Sequence, residues 1–278
     1  MIIYPHTRDP FYCRFTHFTP EETPLIKSIR DKALNRELAT GTFINLGNTM
    51  TVEMAGSAGF DWVLIDVEHG AGDQQSLVTQ IQAVSSTPAV PIVRIESNEP
   101  PRFKRVLDLG ASGVMVPYVS TVEEAEQAVA SMRYPPRGIR GVAKLNRGSA
   151  FGAEFEEYFE RSHELLTTIV QIETLEALEN IDGIAAVDGV DVLFIGPLDL
   201  SVNMGIPQEF DHPDFLAAKA KVAKAAQNAG KSSGILLLSA EQVPSTLEAG
   251  FTFVALGSDG GLVAAGMKTL NATFDAYR

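Results

Sequence analysis

The chain has 278 residues, 45% of them hydrophobic, and a formal net charge of −13. It is long enough to bury one large core, and its charge repels phosphate backbones and anionic lipid, which sets aside nucleic-acid and membrane-surface binding. Its one cysteine, Cys13, excludes an internal disulfide. No run approaches the ~20 apolar residues of a membrane span or has the layout of a secretory leader, so a soluble, cytoplasmic chain is expected.

Residues 1–22, with three prolines and scattered aromatics, read as an arm preceding the main domain at 23–278. A helix is expected from 24 to about 38. From residue 40 onward, short apolar segments alternate with helical ones: GTFINL, DWVLID, VPIVRI, GVMVPYV, TTIVQIE, VDVLFIG, SSGILLL and FTFVALG. Unbroken apolar runs of this length suit strands buried on both faces, and the intervening segments, several closed by glycine, suit helices. Eight β/α units predict an α/β fold, a TIM (β/α)8 barrel in a single domain, with a doubly wound open sheet as the lesser alternative. Two segments break the rhythm. Between the fourth and fifth strands, RYPPRGIRGVAKLNRGSAFG leads into a helical AEFEEYFERSHE, a connection long enough to be expected as a functional cover. After the eighth strand, GSDGG is a weak phosphate-loop signal.

In such a barrel the carboxyl ends of the strands build the active site. The second strand ends in Asp66, Glu68 and His69, the third in Arg94, the fifth in Gln171 and Glu173, and the sixth, through GPLDLS, in Asp199. Glu173 and Asp199 leave adjacent strands and can converge on one point, where two hard oxygen ligands suit Mg²⁺ or Mn²⁺ better than zinc. Both acids also stand where helix caps are found, which leaves a capping role open. Asp66 is placed to orient the His69 imidazole for proton transfer, with a histidine that only caps the loop and is satisfied by hydrogen bonds as the alternative. Arg94, ending an apolar strand, requires an anionic partner, either a substrate oxyanion or a salt bridge to Glu68 or Glu96. None of these eight strands ends in a lysine, so Schiff-base chemistry has no nucleophile: Lys144 falls in the long loop and Lys231 opens a strand at the opposite rim.

Together, D-x-E-H-G after the second strand, V-x-I-E-T after the fifth, G-P-x-D-L-S after the sixth and Y-P-P-x-G-I-R-G before the long loop resemble the HpcH/HpaI aldolase family, from about residue 25 to the carboxyl terminus. The resemblance implies a divalent-metal-dependent aldolase (Mg²⁺, Mn²⁺ or Co²⁺) that cleaves a 4-hydroxy-2-oxo acid to pyruvate or a related 2-oxo acid plus an aldehyde. It implies His69 as the base, Asp66 as its partner, Arg94 as the oxyanion stabiliser, and Glu173 and Asp199 as metal ligands. Gln171 and the backbone at Leu198 would touch the keto acid, and Asp108, in RVLDLGA, would raise the basicity of the histidine. It also implies a homohexamer in which the segment after Gly261 packs on a neighbouring barrel. The arm and the loop AKLNRGSAF depart from the family pattern, so the aldehyde is not specified. A CoA-ester lyase, another enolate-forming lyase such as a macrophomate-synthase-like enzyme, and a non-catalytic keto-acid-binding protein are the competing readings.

Overall fold

The computed structural model describes residues 26–278; the expected arm lies outside them. Eight parallel strands close in chain order into one barrel: β1 (Ala39–Ile44), β2 (Trp62–Asp66), β3 (Val90–Arg94), β4 (Gly113–Val116), β5 (Thr167–Ile172), β6 (Val192–Ile195), β7 (Ser232–Leu237) and β8 (Phe253–Ser258). Between them run α2 (Thr49–Ser57), α3 (Gln74–Ser85), α4 (Pro100–Asp108), α5 (Val122–Met132), α6 (Phe155–Leu165), α7 (Leu175–Glu179), α8 (Ile181–Ala186), α9 (Pro197–Asn203), α10 (Pro213–Asn228) and α11 (Val243–Glu248). A first helix, α1 (Arg30–Leu34), precedes β1, and α12 (Asp259–Ala272) follows β8. The barrel reading holds and the open sheet falls away.

Most strand residues are buried and apolar because alternate residues face two different cores. One cluster, with Leu77, Val93, Val114, Val170, Leu193 and Ile235, joins strand backs to helices. The other fills the barrel with Phe43, Trp62, Leu64, Ile92, Met115, Ile169, Phe194 and Phe253. The period of two carries this inward set upward to the carboxyl-end residues, from Trp62 and Leu64 to Asp66, from Val90 and Ile92 to Arg94, and from Ile169 to Gln171 and Glu173.

The barrel is sealed from below. Trp62 stacks on Phe253 with ring centroids 4.5 Å apart and meets Phe194 edge-on. Ile29 and Ala33, at the start of and within α1, belong to the same inner cluster, and the Ala33 carbonyl accepts a hydrogen bond from Ser232 Oγ. This helix is shorter than the expected 24–38, because Arg36 takes a φ of 57° and turns the chain into β1. Gly41 leaves the room that the indole occupies: a Cβ there would lie 2.2 Å from the Trp62 ring.

The long connection corrects its expected role. A short 3-10 segment, Arg147–Gly152, and α6 pack beneath their own barrel. Arg147 donates to the Leu109 carbonyl and to Ser85 Oγ, anchoring the loop near the amino ends of β3 and β4, away from the site it was expected to cover. GSDGG holds no phosphate cradle; the buried Asp259 carboxylate accepts the N–H groups of Asn45 and Gly260 and places negative charge there. Among the described residues no helix is long and apolar enough to cross a membrane.

Gly41→Ala forces a methyl group into the indole, and overpacking of this kind costs ~1–3 kcal/mol or more. Urea unfolding should show the midpoint falling at an unchanged slope; an unchanged midpoint would mean the Trp62 ring yields freely.

Candidate active site

Asp66 and Arg94 are register partners on β2 and β3. Their side chains form a bidentate pair, Arg94 Nε donating to Asp66 Oδ1 at 3.0 Å and Nη2 to Oδ2 at 2.7 Å. Arg94 Nη1 lies 3.0 Å from Glu68 Oε2, and the Phe43 ring stands 5.3 Å from the guanidinium carbon. The salt-bridge role open to Arg94 is therefore realised with Glu68, while Glu96 pairs with Arg102. Donors on both Nη groups remain for a further oxyanion.

Asp66 does not orient the His69 imidazole as expected. Its Oδ1 accepts the main-chain N–H groups of Glu68 and His69, so it shapes the loop that carries the histidine. The carboxylate beside the imidazole is Glu68, with Oε2 3.9 Å from Nε2. Burial first, and then the charges of Asp66 and Asp199, push the Glu68 carboxyl above its usual range, against the pull of Arg94 and His69. Sequence reading missed this role for Glu68, although the motif contained the residue.

Glu173 is buried just past β5 and is not a helix cap; Thr174 caps α7. Its Oε1 accepts from Gln171 Nε2 at 2.5 Å and its Oε2 from the Tyr118 N–H at 3.1 Å. Burial, reinforced by Asp199 and Glu68, pushes its carboxyl up to about 8 despite the Tyr118 N–H and Arg94. Gly196 makes way for it, since a Cβ there would stand 2.0 Å from Oε1. Asp199 lies in the first turn of α9, and Gly196 holds the cap position. Its Oδ1 accepts the Tyr118 hydroxyl at 3.0 Å. Tyr118 was not singled out from sequence. It sits at φ 52°, a conformation that costs a bulky side chain ~1–3 kcal/mol and commonly marks functional sites.

A cavity of about 300 Å³ gathers His69, Arg94, Gln171, Glu173, Leu198 and Asp199 above Phe43 and Phe194. Asp108 is not among them. It ends α4, where its carboxylate accepts from the buried Arg140 at 2.9 Å. Among the described residues no three His, Cys, Asp or Glu side chains form a metal-binding group. The two-acid set nevertheless fits a hard divalent ion, which keeps waters and substrate oxygens in its other positions. Two strained features match such an ion: a buried carboxylate facing another acid, and the buried Gln171 Oε1, which has no hydrogen-bond partner.

The family model described as HpcH/HpaI aldolase/citrate lyase matches residues 39–265. A 5-keto-4-deoxy-D-glucarate aldolase of Shigella boydii is 41% identical over 239 residues, covering 86% of this chain and 93% of the relative. Among solved structures, an HpcH/HpaI aldolase/citrate lyase family protein from Burkholderia cenocepacia superposes with a TM-score of 0.84 at 33% identity, over 89% of this chain and 99% of that one. An HpcH/HpaI aldolase from Desulfitobacterium hafniense gives 0.81 at 28% identity, over 90% and 97%.

The raised Glu173 carboxyl has a measurable consequence. A folded-state value of about 8, against ~4.3 unfolded, means that the folded form holds the proton more tightly, so stability present at low pH is lost as pH rises through this window. In chelator-treated protein the Tm of Glu173→Gln should gain on wild type between about pH 5 and pH 8. A constant difference across that range would mean that Glu173 is ionised throughout.

Proposed function

Because the chain belongs to the HpcH/HpaI aldolase/citrate lyase family and is a carbon–carbon lyase of the aldolase type, we propose that it cleaves a 4-hydroxy-2-oxo acid to pyruvate or a related 2-oxo acid plus an aldehyde, with a divalent metal ion held by Glu173 and Asp199. The observation that carries this reading is the convergence of those two acids with Arg94, His69 and Gln171 on one cavity. A 5-keto-4-deoxy-sugar acid of the kind named for the 41% identical relative belongs to this substrate class.

A divalent ion supplies the electrophile that carbon–carbon cleavage needs beside the developing enolate. Arg94, already locked in plane by Asp66, presents its remaining N–H groups to the same developing charge, as preorganised donors do. His69, on the exposed loop at the mouth, takes the proton from the 4-hydroxyl, with Glu68 near enough to stabilise the imidazolium. Gln171 and Leu198 line the cavity, where Gln171 and the Leu198 backbone would touch the keto acid. Asp108 lies at the end of α4, so any effect it has on His69 must be exerted between copies. A homohexamer is part of the proposal: α12 leaves Leu262, Met267 and Leu270 65–72% exposed, an apolar face that suits a neighbouring barrel. A cytoplasmic location accords with the single cysteine.

Pyruvate methyl-proton exchange in D₂O tests the enolate half-reaction without knowledge of the aldehyde. Exchange should be enzyme-dependent, vanish with chelator and return with Mg²⁺, Mn²⁺ or Co²⁺. Pyruvate that exchanges no faster than in controls, while another compound is cleaved, would favour the CoA-ester or other lyase reading. Arg94→Lys replaces a planar fork by a point charge and should slow exchange ~10²–10³-fold; a rate within a few-fold of wild type would remove Arg94 from the oxyanion role.

A further inference from the structure

We propose that Tyr118 is a positioning residue that sets the two acids for the divalent ion, an inference that rests on reading Glu173 and Asp199 as its ligands. Tyr118 follows β4 and reaches both acids at once, its N–H donating to Glu173 Oε2 at 3.1 Å and its phenol to Asp199 Oδ1 at 3.0 Å. Among the described residues no other group donates a hydrogen bond to the Asp199 carboxylate. Asp199 and Glu173 come from different β/α units and would repel each other once both are ionised, as ligands of a cation must be, so their alignment needs a shared anchor. One residue with a donor on its main chain and another on its ring end holds both, provided its backbone is bent to bring the two donors to one side. The left-handed φ of 52° supplies that bend at a position where glycine is the usual occupant.

The placement of the ring separates this role from packing. Tyr118 is 51% exposed, so its side chain is not part of either core. Its hydroxyl is bound to a carboxylate and acts through it. Hydrogen-bond partners of ligating carboxylates are typically worth 10–100-fold in metal affinity, because they fix the ligand's orientation before the ion arrives.

The test is Mn²⁺ binding by isothermal titration calorimetry on full-length wild type, Tyr118→Phe, Tyr118→Gly, Glu173→Gln and Asp199→Asn, with Tm recorded for each. Tyr118→Phe keeps the ring and the N–H and should weaken Mn²⁺ binding about 10–100-fold with little change in Tm. Tyr118→Gly keeps the N–H and relaxes the positive φ, so it should lose at least as much affinity while its Tm is maintained or raised. Mn²⁺ binding by Tyr118→Phe as tight as wild type, or tighter, overturns the inference. If Glu173→Gln and Asp199→Asn lose affinity while both Tyr118 variants do not, only the role of Tyr118 falls. If the two acid variants also bind as wild type does, the ligand assignment falls and takes this inference with it.

Discussion

The Asp66–Arg94 pair is the interaction on which the mouth of the barrel depends. Two charges taken almost wholly out of water at the ends of adjacent strands are tolerable only when their geometry is good, and here it is bidentate, with Glu68 on the third nitrogen. The same Asp66 oxygen that receives Arg94 Nε also receives the N–H groups of Glu68 and His69. One carboxylate thus fixes the guanidinium plane on β3 and the loop that carries the histidine. The turn that allows this brings Gly70 so close that a Cβ would lie 2.0 Å from the Asp66 carbonyl. Breaking such a pair from one side leaves the other charge buried and alone, at a cost of ~3–5 kcal/mol.

Around that pair the charge balance is uneven. Asp66, Glu68, Glu173 and Asp199 act on a region with one guanidinium, and the raised Glu68 and Glu173 carboxyls are the electrostatic expression of the excess. The resulting local field favours a compact cation over an anion, even though the substrate proposed for the site is itself an anion. The cation and the acid substrate are therefore complementary: each makes the site more hospitable to the other.

The barrel was legible because its strands bury both faces, which writes eight mostly apolar runs into the chain, and because charged residues within the strands stand only at their carboxyl ends. Arg94, Gln171, Glu173 and Asp199 could be found on that ground alone. What escaped was set by geometry that a linear pattern does not encode. The partner of Asp66 comes from strand register, which places Arg94 directly opposite it. Tyr118 owes its place to a backbone angle, and nothing in GVMVPYV marks a tyrosine at positive φ. The long connection was assigned a covering role from its length, whereas Arg147 ties it to the Leu109 carbonyl at the other rim. Asp108, named by family pattern, meets Arg140 for the same topological reason: helices in this barrel end where strands begin.

The sealed floor determines traffic. Trp62, Phe194 and Phe253 fill the interior and α1 packs beneath it, so among the described residues this packing closes the lower side of the cavity above Phe43. Glu173 is 2% exposed at the inner end of that space, whereas His69 stands at its lip. For the proposed cleavage, the fragment nearest the acids cannot leave past the fragment nearest the histidine. On that reading the aldehyde would depart first and the 2-oxo acid second, and in the synthetic direction the keto acid would enter before its partner. The aromatic plug would thereby impose a queue on the proposed reaction, whose order of events would be set by packing well below the reacting atoms.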